Sequence, residues 1–330
     1  MTRLSEFEII KRYFDTPVSS PFVALGIGDD CAILAPTAGK QLLVSTDMVT
    51  EGRHFTLDAL PEWIAQKSLA VNLSDLAACG GTPRAFFLSI GLPQALATDE
   101  WLAPFAQSLH SLANKYGCAL AGGDTVRSEE LTISITVLGE SPAPLLRSSA
   151  KAGDMVWVSG TLGCAALGLA LTHGEHHGLN LSDSQLAHVR QRLHTPSPRI
   201  KLGIALRGLA HSCVDVSDGL VADLHHILKA SDVDAVVDVD ALPLSPALRV
   251  AQEVGVDVLA YALSGGDDYE LLFTAPASAR QAVIDAAASV GVAVTAIGTV
   301  SECAAVLPEL KLCNDAGEAF AYTGKGYEHF

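Results

Sequence analysis

Basic residues and long apolar runs are scarce in this chain of 330 residues, and both shortages exclude classes of partner. The chain has 21 Lys and Arg against 37 Asp and Glu, so its formal net charge is −16. This negative charge argues against nucleic acid or an anionic membrane as the main partner. The longest apolar stretch, at about 162–171, is far shorter than the roughly 20 residues of a membrane helix. Charged residues from Arg3 to Arg12 leave no apolar signal-peptide core, so we expect a cytoplasmic location.

Several well-known cofactor motifs are also missing. Seven cysteines occur without a CxxC pair or zinc spacing, so we interpret them as small buried residues in a reducing compartment. The chain has no GxxxxGK[ST] sequence and no GxGxxG after a strand, which leaves a P-loop or a Rossmann cofactor site unsupported.

The length and the segment pattern predict two domains of mixed α/β structure. Hydrophobic residues make up 49% of the chain, so extensive disorder is improbable. Two prolines and three serines between residues 141 and 151 mark the boundary, giving an N-terminal domain over 1–145 and a C-terminal domain over 146–330. Periodicity predicts helices over 61–79 and 99–116, a strand over 41–45, and a helix over 198–210 opened by Ser197 and Pro198.

Acidic residues cluster beside glycines or at predicted strand ends. The clusters lie at 28–30, 45–47, 72–75, 122–124, 215–219 and 264–270. Any single Asp next to Gly is most often a turn or a helix cap. Together, converging carboxylates would repel one another unless hard cations neutralised them. Mg²⁺ takes one or two carboxylates plus waters and substrate phosphates, so the pattern favours several Mg²⁺ ions. The glycine pairs 122–123 and 265–266 would allow the backbone to approach a phosphate chain closely.

Few basic or imidazole side chains lie near these clusters. Arg147, in the predicted interdomain segment, either reaches the phosphates of a nucleotide or is a solvated linker residue. His54 follows Asp47 by seven positions, and a lone histidine is more often structural than substrate-binding. The histidine pairs at 176–177 and 225–226 are adjacent in sequence, so each pair diverges on a helix, and we expect them on the surface.

Eight blocks occur in an order that carries a family resemblance. They are GIGDDCAIL (26–34), STDMVTEGRHF (45–55), NLSDLAACGGTPR (72–84), AGGDTVRS (121–128), VSGTLG (158–163), DVSDGL (215–220), SGGDDYELLFT (264–274) and GYEHF (326–330). The chain resembles the thiamine-monophosphate kinases of the aminoimidazole-ribonucleotide-synthetase-like ATP-binding superfamily. The resemblance implies ATP-dependent phosphorylation of thiamine monophosphate to thiamine diphosphate with several Mg²⁺ ions. It also implies a homodimer in which N-terminal strands of two subunits form a shared barrel.

The resemblance carries roles onto individual positions. The residues that match metal ligands are Asp30, Ser45, Thr46, Asp47, Asp75, Asp124, Asp215 and Asp218. Those that match nucleotide contacts are Tyr116, Gly123, Asp124, Arg147 and Ser217. Those that match contacts to thiamine monophosphate are His54, Glu270 and Tyr327. Asp267 departs from the family, in which Glu is usual at that position. No residue is expected to act as a covalent nucleophile, because both substrates are phosphate anions whose transfer depends on neutralisation and alignment.

Three other interpretations stay open on the sequence. Another ATP-dependent enzyme of the same superfamily would share most of the blocks. A Mg²⁺-dependent phosphohydrolase would also need clustered aspartates. A non-catalytic cation-binding protein would share the acidic residues, but it would have no need of glycine-rich turns beside them.

Overall fold

The computed structural model describes residues 4–15, 20–56, 58–322 and 324, and the chain divides into two compact units. Unit 1 comprises Met1–Leu76 and Gly81–Pro142. Unit 2 comprises Ala77–Gly80 and Ala143–Phe330.

Unit 1 is built on a four-stranded sheet with the order β3-β6-β4-β5. Its elements, in chain order, are α1 (Glu6–Ile9), a π-helical turn (Ile10–Phe14), β1 (Val23–Leu25), β2 (Ile33–Leu34), β3 (Gln41–Thr50), α2 (Pro61–Ala78), β4 (Thr82–Pro93), α3 (Asp99–Tyr116), β5 (Ala119–Ser128) and β6 (Thr132–Ser141). The β4 strand pairs antiparallel with β6 and parallel with β5, and β3 pairs antiparallel with β6. Because β3 ends the strand order, it is an edge strand of this sheet.

The helices of unit 1 follow from apolar spacing and from their terminal residues. In α3, Leu102, Phe105, Leu109 and Leu112 are buried at helical spacing. Gly117 ends the helix in the left-handed conformation with φ +64°, which glycine adopts without a steric penalty. The predicted ranges for α2 and α3 therefore agree with the structure.

Unit 2 is built on a six-stranded sheet with the order β12-β9-β11-β7-β10-β8. Its elements, in chain order, are β7 (Asp154–Ser159), α4 (Cys164–Thr172), α5 (Asp183–His194), α6 (Ile200–Ala205), β8 (Ser212–Asp215), α7 (Leu220–Ser231), β9 (Val233–Asp238), α8 (Pro246–Glu253), α9 (Val258–Ser264), β10 (Leu271–Pro276), α10 (Arg280–Ser289), β11 (Val294–Glu302) and β12 (Leu310–Cys313). The β10 strand pairs antiparallel with both β7 and β8, while β12 pairs parallel with β9. Apolar side chains of these strands and of α7 form a buried core.

Two predicted strand and helix ranges were wrong. The β3 strand continues past the predicted end at residue 45 and runs to Thr50, because ladder pairing with β6 extends through Thr46 and Asp47. The helix predicted over 198–210 is the shorter α6, whose N-cap is Arg199 rather than Ser197. The chain after it turns at Gly208, which has φ +76°.

The cysteines are only partly buried, in contrast to the prediction for all seven. Cys118, Cys164 and Cys213 are buried, Cys31 is exposed, and the others are intermediate. Burial raises the pKa of the Cys213 thiol, so that side chain stays neutral and packs as a small apolar group. Among the residues that the structure describes, no helix combines the length and the apolar character needed to cross a membrane.

Candidate functional site

Unit 1 contains a cavity of about 600 Å³ on the side of β4 and β5, a volume within the range of small-molecule sites. One part of its lining is apolar and includes Ile10, Phe14 and Leu120. The other part carries glycines and acidic residues. This second set consists of Gly26, Gly28, Asp29, Asp30, Gly122, Gly123 and Asp124. The structure thus brings three predicted site residues, Asp30, Gly123 and Asp124, to one cavity.

Gly123 is required by the close approach of two strands. Its φ is +150°, and a Cβ atom there would lie 1.8 Å from the backbone oxygen of Leu88. The next residue, Asp124, is exposed, and its Oδ1 accepts the Thr125 backbone N–H at 2.8 Å. The glycine therefore exposes backbone beside an accessible carboxylate within the cavity lining.

The polar residues of β3 divide between the two faces of the sheet. Ser45 donates its hydroxyl to the Asp75 carboxylate of α2, and Asn72 Oδ1 of α2 accepts the Asp47 backbone N–H at 3.0 Å. Thr46 points to the opposite face, where its Oγ1 lies 2.8 Å from Thr136 Oγ1. The structure therefore pairs Ser45 with Asp75 and separates Thr46 from them.

His54 and Tyr116 lie on other parts of unit 1. His54 Nδ1 accepts the Thr50 backbone N–H at 3.1 Å, so the neutral ring carries its proton on Nε2. Tyr116 ends α3, and the Lys115 ammonium lies 5.3 Å from its ring centroid. Tyr327, the third predicted contact to the acceptor, lies outside the described residues.

In unit 2, Asp215 is the last residue of β8, and Ser217 and Asp218 lie in the turn that follows it. A residue that the sequence analysis did not single out, Asp223, fixes this turn, because its Oδ2 accepts the backbone N–H groups of Ser217 at 3.0 Å and Asp218 at 3.1 Å. Burial and the neighbouring Asp218 charge raise the pKa of Asp223 to about 7, and the Arg147 charge opposes the rise. Arg147 is therefore close enough to this turn to act on its electrostatics.

The loop 264–270 lies directly against that turn. The Asp267 backbone N–H donates to the Ser217 oxygen at 2.9 Å, and the Tyr269 N–H donates to the Val216 oxygen at 2.8 Å. A Cβ atom at Gly266 would lie 2.4 Å from the Ser217 oxygen, so only glycine allows this approach. Asp267 and Tyr269 have φ of +67° and +48°, a strained region for residues other than glycine, and such strain is frequent at functional sites.

Glu270 is buried in an ion-pair network that the sequence analysis did not anticipate. Its carboxylate accepts the Ser159 hydroxyl at 2.5 Å and two Arg199 nitrogens at 2.5 and 2.6 Å, and Arg192 lies 2.9 Å from Oε1. Arg192 also donates to the backbone oxygen of Asp268. Burial raises the pKa of Asp268 to about 7, against the Arg192 charge and the Gly163 N–H that lower it. Even the nearer arginine in the chain, Arg199, precedes Glu270 by 71 residues, so no local sequence signal could reveal this pairing.

The oxygen donors of these groups fit Mg²⁺ in kind. Among the described residues, no three Asp, Glu, His or Cys side chains lie close enough together to form a metal cluster. The structure does offer a hydroxyl–carboxylate pair at Ser45 and Asp75, and two exposed carboxylates, Asp30 and Asp124, on one cavity. One or two carboxylates per ion, completed by water and phosphate, is the coordination that Mg²⁺ commonly takes in proteins.

Two family models match the chain in series. The model of AIR synthase related protein, N-terminal domain, matches residues 28–141, and that of AIR synthase related protein, C-terminal domain, matches residues 151–306. The fold and both matches define a two-domain α/β protein of the AIR-synthase-related class, which confirms the predicted fold class.

More specific relatives share nearly the whole chain. Thiamine-monophosphate kinase of Salmonella typhimurium (strain LT2) is 44% identical over 329 residues, which are 98% of each chain. The crystal structure of thiamine-monophosphate kinase from Stenotrophomonas maltophilia K279a is 42% identical, with a TM-score of 0.81 and coverage of 92% of this chain and 93% of that one. The structure of AaThiL complexed with AMPPCP and TMP is 33% identical, with a TM-score of 0.77 and coverage of 90% and 89%. The chain belongs to the thiamine-monophosphate kinase family.

Proposed function

We propose that this protein transfers the γ-phosphoryl group of ATP to thiamine monophosphate and forms thiamine diphosphate in the cytoplasm. The observation that carries the proposal is the 44% identity to a thiamine-monophosphate kinase over 98% of both chains. A 33%-identical protein of the same fold forms a complex with AMPPCP, an analogue of ATP, and TMP. The cavity of unit 1, apolar in one part and rich in glycine and carboxylate in the other, suits a nucleotide in size and chemistry.

The nucleotide contacts are proposed from the family positions and their surroundings. Gly123 is an exposed residue of β5 within the cavity lining, and the lack of a side chain allows a phosphate chain to approach the backbone closely. Ser217 is held by Asp223, and the exposed Arg147 supplies positive charge. Tyr116 and Asp124 complete the set as positions that match the family's nucleotide contacts.

The metal ligands are proposed to be the oxygen donors named from the resemblance. They are Asp30, Ser45, Thr46, Asp47, Asp75, Asp124, Asp215 and Asp218. Bound Mg²⁺ would neutralise phosphate charge, which opposes the approach of two anionic substrates. The hydrogen bond between Ser45 and Asp75 fixes those two side chains, and the hydrogen bonds from Ser217 and Asp218 to Asp223 fix the backbone of the turn after β8.

The acceptor side is proposed to involve His54, Glu270 and Tyr327. The His54 ring is oriented by the Thr50 N–H, which leaves Nε2–H as its donor. The aromatic face of Tyr327 would attract the cationic thiazolium ring. The acceptor phosphate has a second pKa of about 6, so it is largely ionised at neutral pH. Direct in-line attack therefore needs neither a covalent nucleophile nor a strong general base.

We propose that two copies of the chain pair through β3. This edge strand exposes Leu42, Val44 and Met48, which alternate with inward residues and so share one face. An exposed apolar edge strand is a template for pairing with another chain.

Light scattering should give the mass of a dimer for the wild type and the mass of a monomer for the double variant Val44→Glu/Met48→Glu. Val254→Glu, at an exposed position of unit 2, should remain dimeric; an unchanged mass of the double variant would refute the β3 interface.

A coupled assay tests the function directly. ATP and Mg²⁺ are supplied with thiamine monophosphate, with thiamine, or with buffer alone. We expect ADP and thiamine diphosphate in equal amounts, only with thiamine monophosphate. ATP consumption without an acceptor would instead indicate a phosphohydrolase. If no ATP is consumed in any of the three samples, the protein would catalyse another reaction of the superfamily.

A further inference from the structure

The N-terminal segment of unit 1 forms one wall of the cavity beside β4 and β5. It consists of α1 and the π-helical turn, and two of its side chains, Ile10 and Phe14, line the cavity. The Asp15 backbone N–H donates to the Ile10 oxygen at 2.8 Å. This bond closes the π-helical turn, and such turns are frequent at functional sites. We call residues 6–14 the N-terminal wall.

Polar contacts attach the N-terminal wall to α3. The Tyr13 hydroxyl donates to the carboxylate of Asp99, in the first turn of α3, and Arg12 Nη1 lies 2.9 Å from the same carboxylate. Burial and the bond to Asp99 raise the pKa of Tyr13 to about 12, so its hydroxyl keeps the proton that it donates. His110 Nε2 donates to the Tyr13 backbone oxygen at 2.8 Å. Asp99 therefore fixes two neighbouring residues of the wall.

The side chains that the wall presents to the cavity are apolar. Phe14 packs edge-on against Phe105 of α3, with ring centroids 6.5 Å apart and an interplanar angle of 88°. Ile10 is partly exposed, and Leu120 of β5 belongs to the same lining. Apolar surface that lines an open cavity is in contact with water, and a ligand with an apolar face removes it from water. Ile10, Phe14 and Leu120 thus suit a heterocyclic ring, and they offer no donor to a phosphate.

The rest of the lining suits the other end of a nucleotide. Asp30 and Asp124 are exposed carboxylates, which we propose as Mg²⁺ ligands, and Gly122 and Gly123 leave the backbone accessible. A nucleoside triphosphate carries a base at one end and phosphates at the other, so it can occupy both parts of one cavity. His54, the proposed acceptor contact in this unit, is not among the lining residues. The lining therefore favours the donor nucleotide over thiamine monophosphate.

We propose that Ile10 and Phe14 contact the purine base of the donor nucleotide, and that Asp99 is a positioning residue that holds them against α3 through Tyr13. The inference rests on the proposed function, because it assigns the N-terminal wall to the nucleotide of that reaction. Apolar side chains cover the faces of a base and form no hydrogen bond with its edge. Loss of this contact therefore weakens adenine and hypoxanthine nucleotides by the same factor, and it does not affect a phosphate chain without a base.

Calorimetric titration with AMPPCP and with inorganic tripolyphosphate, each with Mg²⁺, separates the base from the phosphates. For Ile10→Ala we expect AMPPCP to bind about five- to tenfold more weakly, as for the loss of partly buried methylene groups. The affinities for tripolyphosphate and for thiamine monophosphate should stay within about twofold of the wild type. The KM values for ATP and for inosine triphosphate should rise by the same factor. Phe7→Ala removes a 78% exposed aromatic side chain of the same wall and should change none of these values.

Asp99→Ala tests the positioning role. This variant should weaken AMPPCP and spare tripolyphosphate. Its effect should be smaller in the Ile10→Ala background than in the wild type, because Asp99 then has less base contact to position. Glu100→Ala removes the neighbouring acidic residue of the first turn of α3 and serves as the matched control, with AMPPCP affinity within about twofold of the wild type. Equal losses from Asp99→Ala in the two backgrounds would overturn the positioning role.

Three results would overturn the assignment of the wall to the base. They are an unchanged affinity of Ile10→Ala for AMPPCP, an equal loss of affinity for AMPPCP and tripolyphosphate, and a larger loss for thiamine monophosphate than for AMPPCP. A wild-type protein that does not bind AMPPCP would instead refute the proposed function, and this inference with it.

A measurement on the wild-type protein covers the case in which the variants do not fold. An ATP derivative with an azide on its adenine ring forms a covalent bond to neighbouring residues when irradiated, and tandem mass spectrometry locates these residues. We expect labelling within residues 10–14, and excess unmodified ATP should prevent it. If all of the labelling that ATP prevents lies outside the N-terminal wall, the proposal is wrong.

Discussion

Gly160 stands where the backbone of unit 2 covers the Glu270 carboxylate, and replacement by alanine should destabilise the protein for two separate reasons. The first is conformational, because φ is +59°, and a residue with a Cβ costs about 1–2 kcal/mol in the left-handed region. The second is steric, because the new Cβ would lie 2.1 Å from Oε1 and 2.4 Å from Cδ of Glu270. Glu270 cannot move aside without breaking bonds to Ser159, Arg192 or Arg199.

A matched glycine separates these two reasons. Gly153 has φ +90°, and a Cβ atom there would meet no other atom within 4 Å, so Gly153→Ala carries the conformational cost alone. Overpacking typically adds about 1–3 kcal/mol. In a domain of 150–250 residues, the range that includes unit 2, each kcal/mol shifts the unfolding midpoint by roughly 2–4 °C.

Differential scanning calorimetry of both variants measures the difference. We expect the transition of Gly160→Ala to lie about 2–12 °C below that of Gly153→Ala. Equal midpoints for the two variants would show that Glu270 is not fixed beneath Gly160, and the arrangement of the network would then be wrong.

Three further predictions concern the proposed ligands and the buried acids. Asp75→Asn should lower kcat by about 100-fold or more at saturating Mg²⁺ while the unfolding midpoint changes little; near-normal turnover would remove Asp75 from the metal ligands. Asp268 has a folded-state pKa of about 7 against an ordinary value of 3.8, so the folded protein binds this proton more tightly and loses stability as pH rises from 4 to 7. The unfolding midpoint of Asp268→Asn minus that of the wild type should therefore increase from pH 4 to pH 7, because only the wild type loses stability through this group. A difference that does not change with pH would contradict the raised pKa of Asp268. Tyr327→Ala should raise the KM for thiamine monophosphate more than the KM for ATP, and equal increases would argue against a place for Tyr327 beside the acceptor.

Local periodicity was sufficient for some elements and insufficient for others. The α3 helix was predictable because Phe105, Leu109 and Leu112 recur at helical spacing and Gly117 supplies a left-handed end. The α6 helix was overextended because Ser197 and Pro198 are typical of a helix start, while the structure begins the helix only after Arg199. At its other end, α6 stops at Ala205, five residues before the predicted end, and the chain turns at Gly208, which has φ +76°.

The candidate site shows the same division between local and long-range information. Glycine–acid clusters such as 122–124 and 215–219 were visible because backbone approach and negative charge leave compositional signals. The role of Asp223 was not visible, because an acidic residue in the first turn of a helix is ordinary, and only the folded turn shows that it accepts two N–H groups. The hydrogen-bond partners of the Glu270 carboxylate could be identified only from the structure, since their donors come from β7, α5 and the start of α6.

The buried network around Glu270 also limits how this protein can be recombined with its homologues. Ser159 and Gly160 precede Arg192 and Arg199 in the chain, and Glu270 follows them all. A chimera with its crossover inside this interval inherits the five positions from two parents. A mismatch at Arg192 or Glu270 leaves a buried charge without its counterpart, a mismatch at Ser159 removes a hydrogen bond to Glu270, and a side chain at position 160 would clash with Glu270. Crossovers outside residues 159–270 are therefore expected to yield folded hybrids more often than crossovers within that range. The residues at the five positions are expected to covary among homologues.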